Sequence, residues 1–254
     1  MGKIISYINQ KGGVGKTTTC VNMASYLAEK GFSVLVCDVD PQGNASSSFG
    51  YTRDQKVKTL YNIIVEDCTI HDAIIKTKVD KLNLIPSDVE LAGAEIEMVH
   101  MQDREKILKN ILSMVKDSYD YICLDCPPSL GLLTVNALTA SDSVIIPIQC
   151  HYFALEGLSQ LMYTIKLIKK HLNSKLDIEG VVLTMKDNRS NLEVSVGDNV
   201  KKYFGEKVYD TAIPRNIRLA EAPSYGEPIS IYDRKSTGGV AYEELTKEFI
   251  KKQK

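Results

Sequence analysis

The sequence predicts an α/β fold, a doubly wound and mostly parallel sheet with helices on both faces. Apolar strand-like runs alternate with helix-period segments along almost the whole chain, which is the pattern of strand–helix–strand crossovers. Several of the runs show no polar alternation, as strands covered on both faces require. No repeat, low-complexity stretch or Pro/Gly/Ser-rich linker divides the 254 residues, so residues 1–254 read as a single domain. A chain of this length, 44% hydrophobic, can bury a full core.

The elements follow in order. "IISYI" reads as the first strand, "NQKGGVGK" as a loop, and a helix begins near Lys16 with Cys20, Val21, Ala24, Leu27 and Ala28 on one side. "SVLVCD", "LNLIP" and "DYICLDC" read as strands, and Ile107, Leu108, Ile111, Leu112 and Val115 mark one helix face. "SVIIPIQ" is the next strand, followed by a helix with Leu158, Leu161, Met162, Ile165, Ile168 and Leu172 on its apolar side. "IEGVVLTM" and "KVYDTAIP" read as the last strands. The final helical segment, "GGVAYEELTKEFIKKQK", offers Tyr242, Leu245, Phe249 and Ile250 as an apolar face.

Charge and composition narrow the function classes. Lys and Arg number 31 against 32 Asp and Glu, so any polyanion contact must come from a local patch. No run of 18 apolar residues is present, so no spanning helix is expected. The start, "MGKIISYINQ", turns polar too early for a secretory signal. It matches the myristoylation pattern through Gly2 and Ser6, but a first core strand there would bury the anchor point. Cys20, Cys37, Cys68, Cys123, Cys126 and Cys150 sit mostly in apolar runs, which suits reduced core thiols of a cytosolic protein. "CLDC" has a C-x-x-C spacing, but a strand points those two thiols to opposite faces and no second pair completes a zinc site.

The chemistry lies at the loops. Gly12, Gly13 and Gly15 let the backbone turn sharply and aim N–H groups at phosphate oxygens, and the following helix N-terminus adds its dipole. Lys16 is placed to reach the β/γ-phosphates and the Thr17 hydroxyl to bind Mg²⁺. "YDYICLDCPPS" ends a strand at Asp125, the place for an acid that holds Mg²⁺ through water. "VLVCDVDPQGN" ends another with Asp38 and Asp40, at the strand edge where open α/β sheets bind ligands. One of these carboxylates can orient the metal shell and the other an attacking water. The loop departs from the common phosphate-loop pattern: Gln10 stands where a glycine is expected, and a second lysine, Lys11, follows it.

"KGGVGKTT" resembles the deviant Walker A motif, K-G-G-x-G-K-[ST], of the ParA/MinD ATPases, a P-loop NTPase family. "DVDPQGN", "LDCPPSLGLLTVNAL", "ALEGLSQL" and "IPRNIRLAEAPSYG" resemble the ParA/Soj chromosome-partitioning ATPases in particular, from residue 3 to about 245. The resemblance implies a Mg²⁺-dependent ATP hydrolase of the cytoplasm, associated with the nucleoid. It would form a homodimer when ATP is bound, with the signature lysine, here Lys11, crossing to the other subunit's phosphates. Lys11, Gly12, Gly13, Val14, Gly15, Lys16, Thr17 and Thr18 would hold the phosphates, and Gly12 would lie close to the partner loop. Lys11, Lys16 and Asp40 would be the catalytic set, with Asp40 positioning water and Thr17, Asp38 and Asp125 serving the metal. The family places adenine near Met185, Asp187 to Arg189, Pro214, Arg215 and Asn216. The absence of an N-K-x-D run agrees mildly with ATP over GTP.

The resemblance also implies nonspecific double-stranded DNA as a ligand, through Arg189 and Arg218, and a ParB-type protein as the partner that stimulates hydrolysis through its basic N-terminal segment. Lys186, Lys201, Lys202, Arg234, Lys235, Lys251 and Lys252 could extend the patch. Two alternatives share the loop. A MinD-like membrane ATPase of division-site placement would need an amphipathic C-terminal helix beyond the core; the face of Tyr242, Leu245, Phe249 and Ile250 is expected to pack on the domain instead, so no membrane partner is expected. An iron–sulfur reductase of the nitrogenase type would need a cluster cysteine past Asp125, where "PPSLGLL" has none.

Overall fold

The computed structural model describes residues 2–151, 156–187 and 190–253. Its centre is a seven-stranded sheet: β1 (Lys3–Tyr7), β2 (Val34–Asp38), β3 (Ile75–Lys76), β4 (Leu82–Ile85), β5 (Tyr121–Asp125), β6 (Ser143–Gln149) and β7 (Asp177–Thr184), in the spatial order β3-β4-β2-β5-β1-β6-β7. Every pairing is parallel except β3 with β4. Chain order reverses direction around β1, which lies between β5 and β6. A crevice therefore opens beyond the C-terminal ends of these strands, the switch point at which such sheets take ligands.

Side-chain alternation divides the core into two layers. Ile4, Leu35, Cys37, Ile122, Leu124 and Val144 face one side, where α6 (Ile107–Ser113), α7 (Leu132–Ala140) and α8 (Glu156–His171) pack. Ile5, Tyr7, Val34, Val36, Cys123 and Ile145 face the other, under α1 (Lys16–Glu29) and α12 (Thr237–Lys252). The expected helix faces are buried or partly buried at every position named, including Leu158, Leu161, Ile165 and Ile168 of α8. Short helices α2 (Asn44–Ser48), α3 (Leu60–Ile64), α4 (Ile70–Ala73) and α5 (Leu91–Met98) fill the β2–β5 connection; α9 (Asn191–Phe204), α10 (Ile217–Glu221) and α11 (Ile229–Tyr232) follow β7. The six cysteines are free, and all but Cys68 are buried. Gly2 is buried, and a Cβ there would run into the Lys116 and Tyr119 carbonyls, so the myristoylation pattern sits inside the fold.

Two parts of the sheet differ from expectation. "KVYDTAIP" forms no strand. Its ends touch the edge of β7 through single bridges, Val208 with Val181 and Pro214 with Lys186. Between them the chain lifts away, because the Asp210 and Thr211 amides donate to the Glu248 carboxylate on α12 at 2.9 and 3.0 Å instead of to the sheet. The segment shields an edge strand without extending the sheet. The short antiparallel β3 carries too few residues for any periodicity to mark it.

Candidate nucleotide site

The loop after β1 is held from several sides. The Asn9 side chain, buried at the strand's end, donates to the Pro147 carbonyl at 2.7 Å and accepts from the Lys11 amide at 3.0 Å. Thr184, the last residue of β7, donates through its hydroxyl to the Val14 carbonyl at 2.8 Å. Gly13 and Gly15 have φ of +72° and +87°, the left-handed region that an L side chain strains to adopt. Gly15 caps α1 with no side-chain hydrogen bond, and the first turn carries no acidic residue. The helix therefore begins with unfilled, partly positive N–H groups facing the crevice, which suits an anion.

Lys16 points back across this turn. Its Nζ donates to the Lys11 carbonyl at 3.3 Å, and the residue is 7% exposed. Burial pushes its pKa down, while Asp125 and Asp40 push the other way and favour the ammonium form. The Lys11 backbone is anchored at both its amide and its carbonyl. Its side chain makes no hydrogen bond or ion pair among the described residues.

Sheet register builds the acidic floor. Asp38 and Asp125 are paired neighbours on β2 and β5, and Asp125 is level with Tyr7, where β1 gives way to the loop. Parallel strands in register point such residues to the same face, so two carboxylates meet under the loop. Both are fully buried but differently served. Asp38 accepts from the Ser46 amide at 2.8 Å, the Ser46 hydroxyl at 2.7 Å and the Asp40 amide at 3.2 Å. Burial nonetheless raises its pKa to about 7, the Ser46 and Asp40 hydrogen bonds opposing the rise.

Among the described residues, neither Asp125 oxygen is in a completed hydrogen bond, although the nearby Thr17 hydroxyl acts to lower its pKa. Burial first, and the Asp38 charge second, hold that pKa well above the usual carboxylate range. An orphaned, fully buried carboxylate is costly, and a cation at this point relieves it. Asp40, 6% exposed, accepts from the Gln42 amide at 3.0 Å, while its own carbonyl accepts from the Ser87 hydroxyl at 2.9 Å.

A cavity of about 410 Å³ continues from the loop away from the acids. Met185, Pro214, Arg215 and Asn216 line it together with Gly15 and Thr18. Met185 has φ of +52°, turning the chain out of β7 at the cavity wall. Asn216 caps α10 by accepting from the Arg218 and Leu219 amides. Its side-chain nitrogen donates to the Thr237 hydroxyl at 2.7 Å. Arg218 is exposed but engaged, at 2.9 Å from Glu221 and 3.5 Å from Asp233. In sequence it falls between Ile217 and Leu219, which line the cavity, but it is not itself part of the lining. Arg189 lies outside the described residues, as does neighbouring Asn188; Asp187 is described.

Several residues of this site carry no signal in the sequence motifs. Ser46 donates to Asp38 while its oxygen accepts from the Ser87 amide at 2.9 Å, tying α2 to the end of β4. Tyr242 of α12 lines the cavity, and its hydroxyl meets the Thr19 hydroxyl at 3.1 Å. Thr19 spends its only proton on the Gly15 carbonyl at 2.7 Å, so Tyr242 is the donor in this chain. The strand-edge rule could have found Ser87, which follows "LNLIP" as Asp40 follows "VLVCD". Asn9, a polar residue directly after an apolar strand, carried the same cue. Ser46, Thr184 and Tyr242 are brought in only by the fold.

The sheet order, the loop and the acidic pair define a P-loop nucleotide-binding domain, and comparison with known proteins agrees. The model of the AAA domain family matches residues 2–178. The sporulation initiation inhibitor protein Soj of Bacillus subtilis is 58% identical over 248 residues, covering 98% of both chains. The chromosome partitioning protein ParA of Caulobacter vibrioides is 46% identical over 254 residues, covering 99% of this chain and 95% of that one. Among solved structures, cobyrinic acid a,c-diamide synthase from Mycobacterium smegmatis with bound ADP and magnesium superposes with a TM-score of 0.88 at 32% identity, covering 100% and 96%. The chain belongs to the Soj/ParA family of P-loop ATPases.

Proposed function

We propose that this protein is a Mg²⁺-dependent ATPase of chromosome or plasmid partitioning that dimerises on ATP and binds nonspecific DNA in that state. The observation that carries the reading is the contrast at the loop: Lys16 is buried beside Asp125 and Asp40, while the Lys11 side chain, five residues earlier, makes no hydrogen bond or ion pair among the described residues. A second cation on the loop has a purpose when another subunit brings phosphates to it.

The residues fit the chemistry. The free N–H groups of the loop and of the first turn of α1 would bind the phosphate oxygens, and Lys16 would neutralise the β/γ end. Thr17, with Asp38 and Asp125 behind it, would hold Mg²⁺, which would offset the charge of the phosphates. Among the described residues no cluster of His, Cys, Asp and Glu could hold a metal alone. That suits an ion held largely by nucleotide and water, as is usual for Mg²⁺. The Asp125 orphan supplies a reason for the ion to sit there. Asp40 would orient the attacking water and take its proton. Lys11 of the second subunit would stabilise charge developing on the γ-phosphoryl group. The cavity beside Met185, Pro214, Arg215 and Asn216 would take the adenine.

Arg189 and Arg218 are the proposed DNA contacts, and a ParB-type protein, acting through its basic N-terminal segment, the proposed stimulating partner in the cytoplasm. DNA phosphates must draw Arg218 from Glu221 and Asp233, which makes that contact weak in one subunit and favours paired patches on a dimer. A MinD-like membrane role has less support. Tyr242, Leu245 and Phe249 of α12 are buried in the domain core, and among the described residues no helix is long and apolar enough to cross a membrane.

Asp40→Ala provides the test. The variant is expected to bind ATP, dimerise by light scattering and retain duplex DNA in the ATP state, with hydrolysis reduced about 10²–10⁴-fold, as for loss of a general base. DNA affinity should fall with salt at a log–log slope of about −0.9 per phosphate contacted. A monomeric, ATP-loaded variant, or DNA binding indifferent to nucleotide, would overturn the reading.

A further inference from the structure

At the opposite end of the sheet from the nucleotide, where β7 begins, a groove of about 420 Å³ opens between α8 and the C-terminal end of α9. Its floor is apolar: Ile165 is 5% exposed and Leu176 fully buried. Tyr163 and Tyr203 line it and stand out from the surface, each 63% exposed. The Tyr203 ring is braced edge-on against Phe204, with centroids 4.8 Å apart. Rings so held need little further ordering when a ligand arrives.

The charge around the groove has one sign left over. Lys166 and Lys169 line it, and both are exposed with no ion pair among the described residues. Lys170 and His171 extend the same basic end of α8. The single carboxylate of the lining, Asp177, is held by Lys207 at 2.9 Å and also attracted by Lys169, so three lysines face one carboxylate there. A concave apolar floor, two standing aromatic rings and an excess of lysine on the rim match the anatomy of a peptide-binding cleft, with an anchor pocket inside and a polar edge outside.

We propose that this groove docks an acidic peptide segment of a partner protein, which places one aromatic or aliphatic side chain between Tyr163 and Tyr203 and its carboxylates against Lys166 and Lys169. The charge selects the occupant. A basic segment, such as that of the ParB-type partner, is repelled here, so this is a second surface with the opposite preference. Duplex DNA satisfies the lysines but brings no apolar group to fill the floor. The groove lies away from the loop, Asp40 and the base cavity, so occupancy need not compete with nucleotide.

The test uses the full chain with ADP and a random peptide library displayed on phage, followed by fluorescence anisotropy with a synthetic copy of an enriched peptide. Enriched sequences are expected to be net acidic around an apolar residue. Affinity is expected to fall about tenfold or more in Lys166→Glu with Lys169→Glu, and to fall again in Tyr163→Ala. All these residues are exposed, so melting temperature and ATP turnover should remain unchanged and show that the variants are folded. A library that yields no binder sensitive to these substitutions, or enriches neutral or basic peptides, overturns the proposal. So does a labelled DNA duplex that binds these lysines and is not displaced by the acidic peptide.

Discussion

The two halves of the phosphate loop differ in how far the subunit accounts for them. From Gly13 to Thr17 each feature has an internal reason. The left-handed φ at Gly13 and Gly15 calls for glycine, Thr184 fixes the Val14 carbonyl, and Lys16 is packed over two buried acids. From Gln10 to Gly12 the backbone is anchored but the side-chain choices are not explained. The Gln10 amide nitrogen reaches Gln160 at 3.0 Å while its buried oxygen has no partner among the described residues. Among the described residues, Lys11 makes hydrogen bonds through main-chain atoms only. Gly12 is exposed, has no left-handed φ, and no atom of the described residues lies within 4 Å of where its Cβ would be. A stretch accounted for within one subunit and an adjoining stretch that is not are different constructions, and substitutions should separate them.

The largest effect is expected from the inner half. Lys16→Ala removes the buried ammonium proposed to grip the phosphates, and ATP affinity should fall about a hundredfold or more, since charged hydrogen bonds are worth roughly 1.5–3 kcal/mol each. Titration with a fluorescent ATP analogue measures it. Affinity within about threefold of the parent would mean that Lys16 is not the phosphate grip.

Lys11→Ala should divide binding from turnover. Monomer affinity for ATP should change by less than about threefold, because the side chain serves no described group of its own subunit. Hydrolysis at saturating ATP should fall on the order of 10³-fold, the range for a cation supplied in trans. Mixing Lys11→Ala with Asp40→Ala sharpens the distinction: in a mixed dimer the parental Lys11 of one subunit faces the parental Asp40 of the other, so turnover should partly return. Loss of affinity equal to that of Lys16→Ala would place Lys11 on its own nucleotide and erase the contrast.

The same contrast governs how much could be read without the fold. The inner half, Asp38, Asp40 and Asp125 were legible because strand ends, glycines and acids at fixed offsets obey local geometry. The buried helix faces followed from periodicity for the same reason. The partners that hold these residues were not legible: Ser46 reaches Asp38 across a turn, Thr184 reaches Val14 from the far edge of the sheet, and Tyr242 reaches Thr19 from the last helix. Such contacts depend on tertiary closure, which leaves no period in the chain. "KVYDTAIP" misled for a related reason. Its apolar alternation is that of a strand, but the Glu248 carboxylate takes two of its amides, and local pattern carries no information about that competitor. The cavity residues Met185, Pro214, Arg215 and Asn216 came from family likeness, and the structure brings them to one wall.

Gly12→Ala should produce the smallest effect on the isolated subunit and is therefore the sharpest probe of the outer half. A methyl group there meets open space, and the backbone already lies outside the left-handed region. Folding should be unchanged, or improved by up to about 0.4–1 kcal/mol through the loss of unfolded-state freedom. Gly13→Ala is the internal control: at φ of +72° the same methyl should cost about 1–2 kcal/mol of stability. If thermal melts separate the two variants in this order while light scattering shows that Gly12→Ala no longer dimerises with ATP, the glycine is present for the other subunit. If Gly12→Ala destabilises the monomer as much as Gly13→Ala does, the outer half has an internal role and the contrast between the two halves fails.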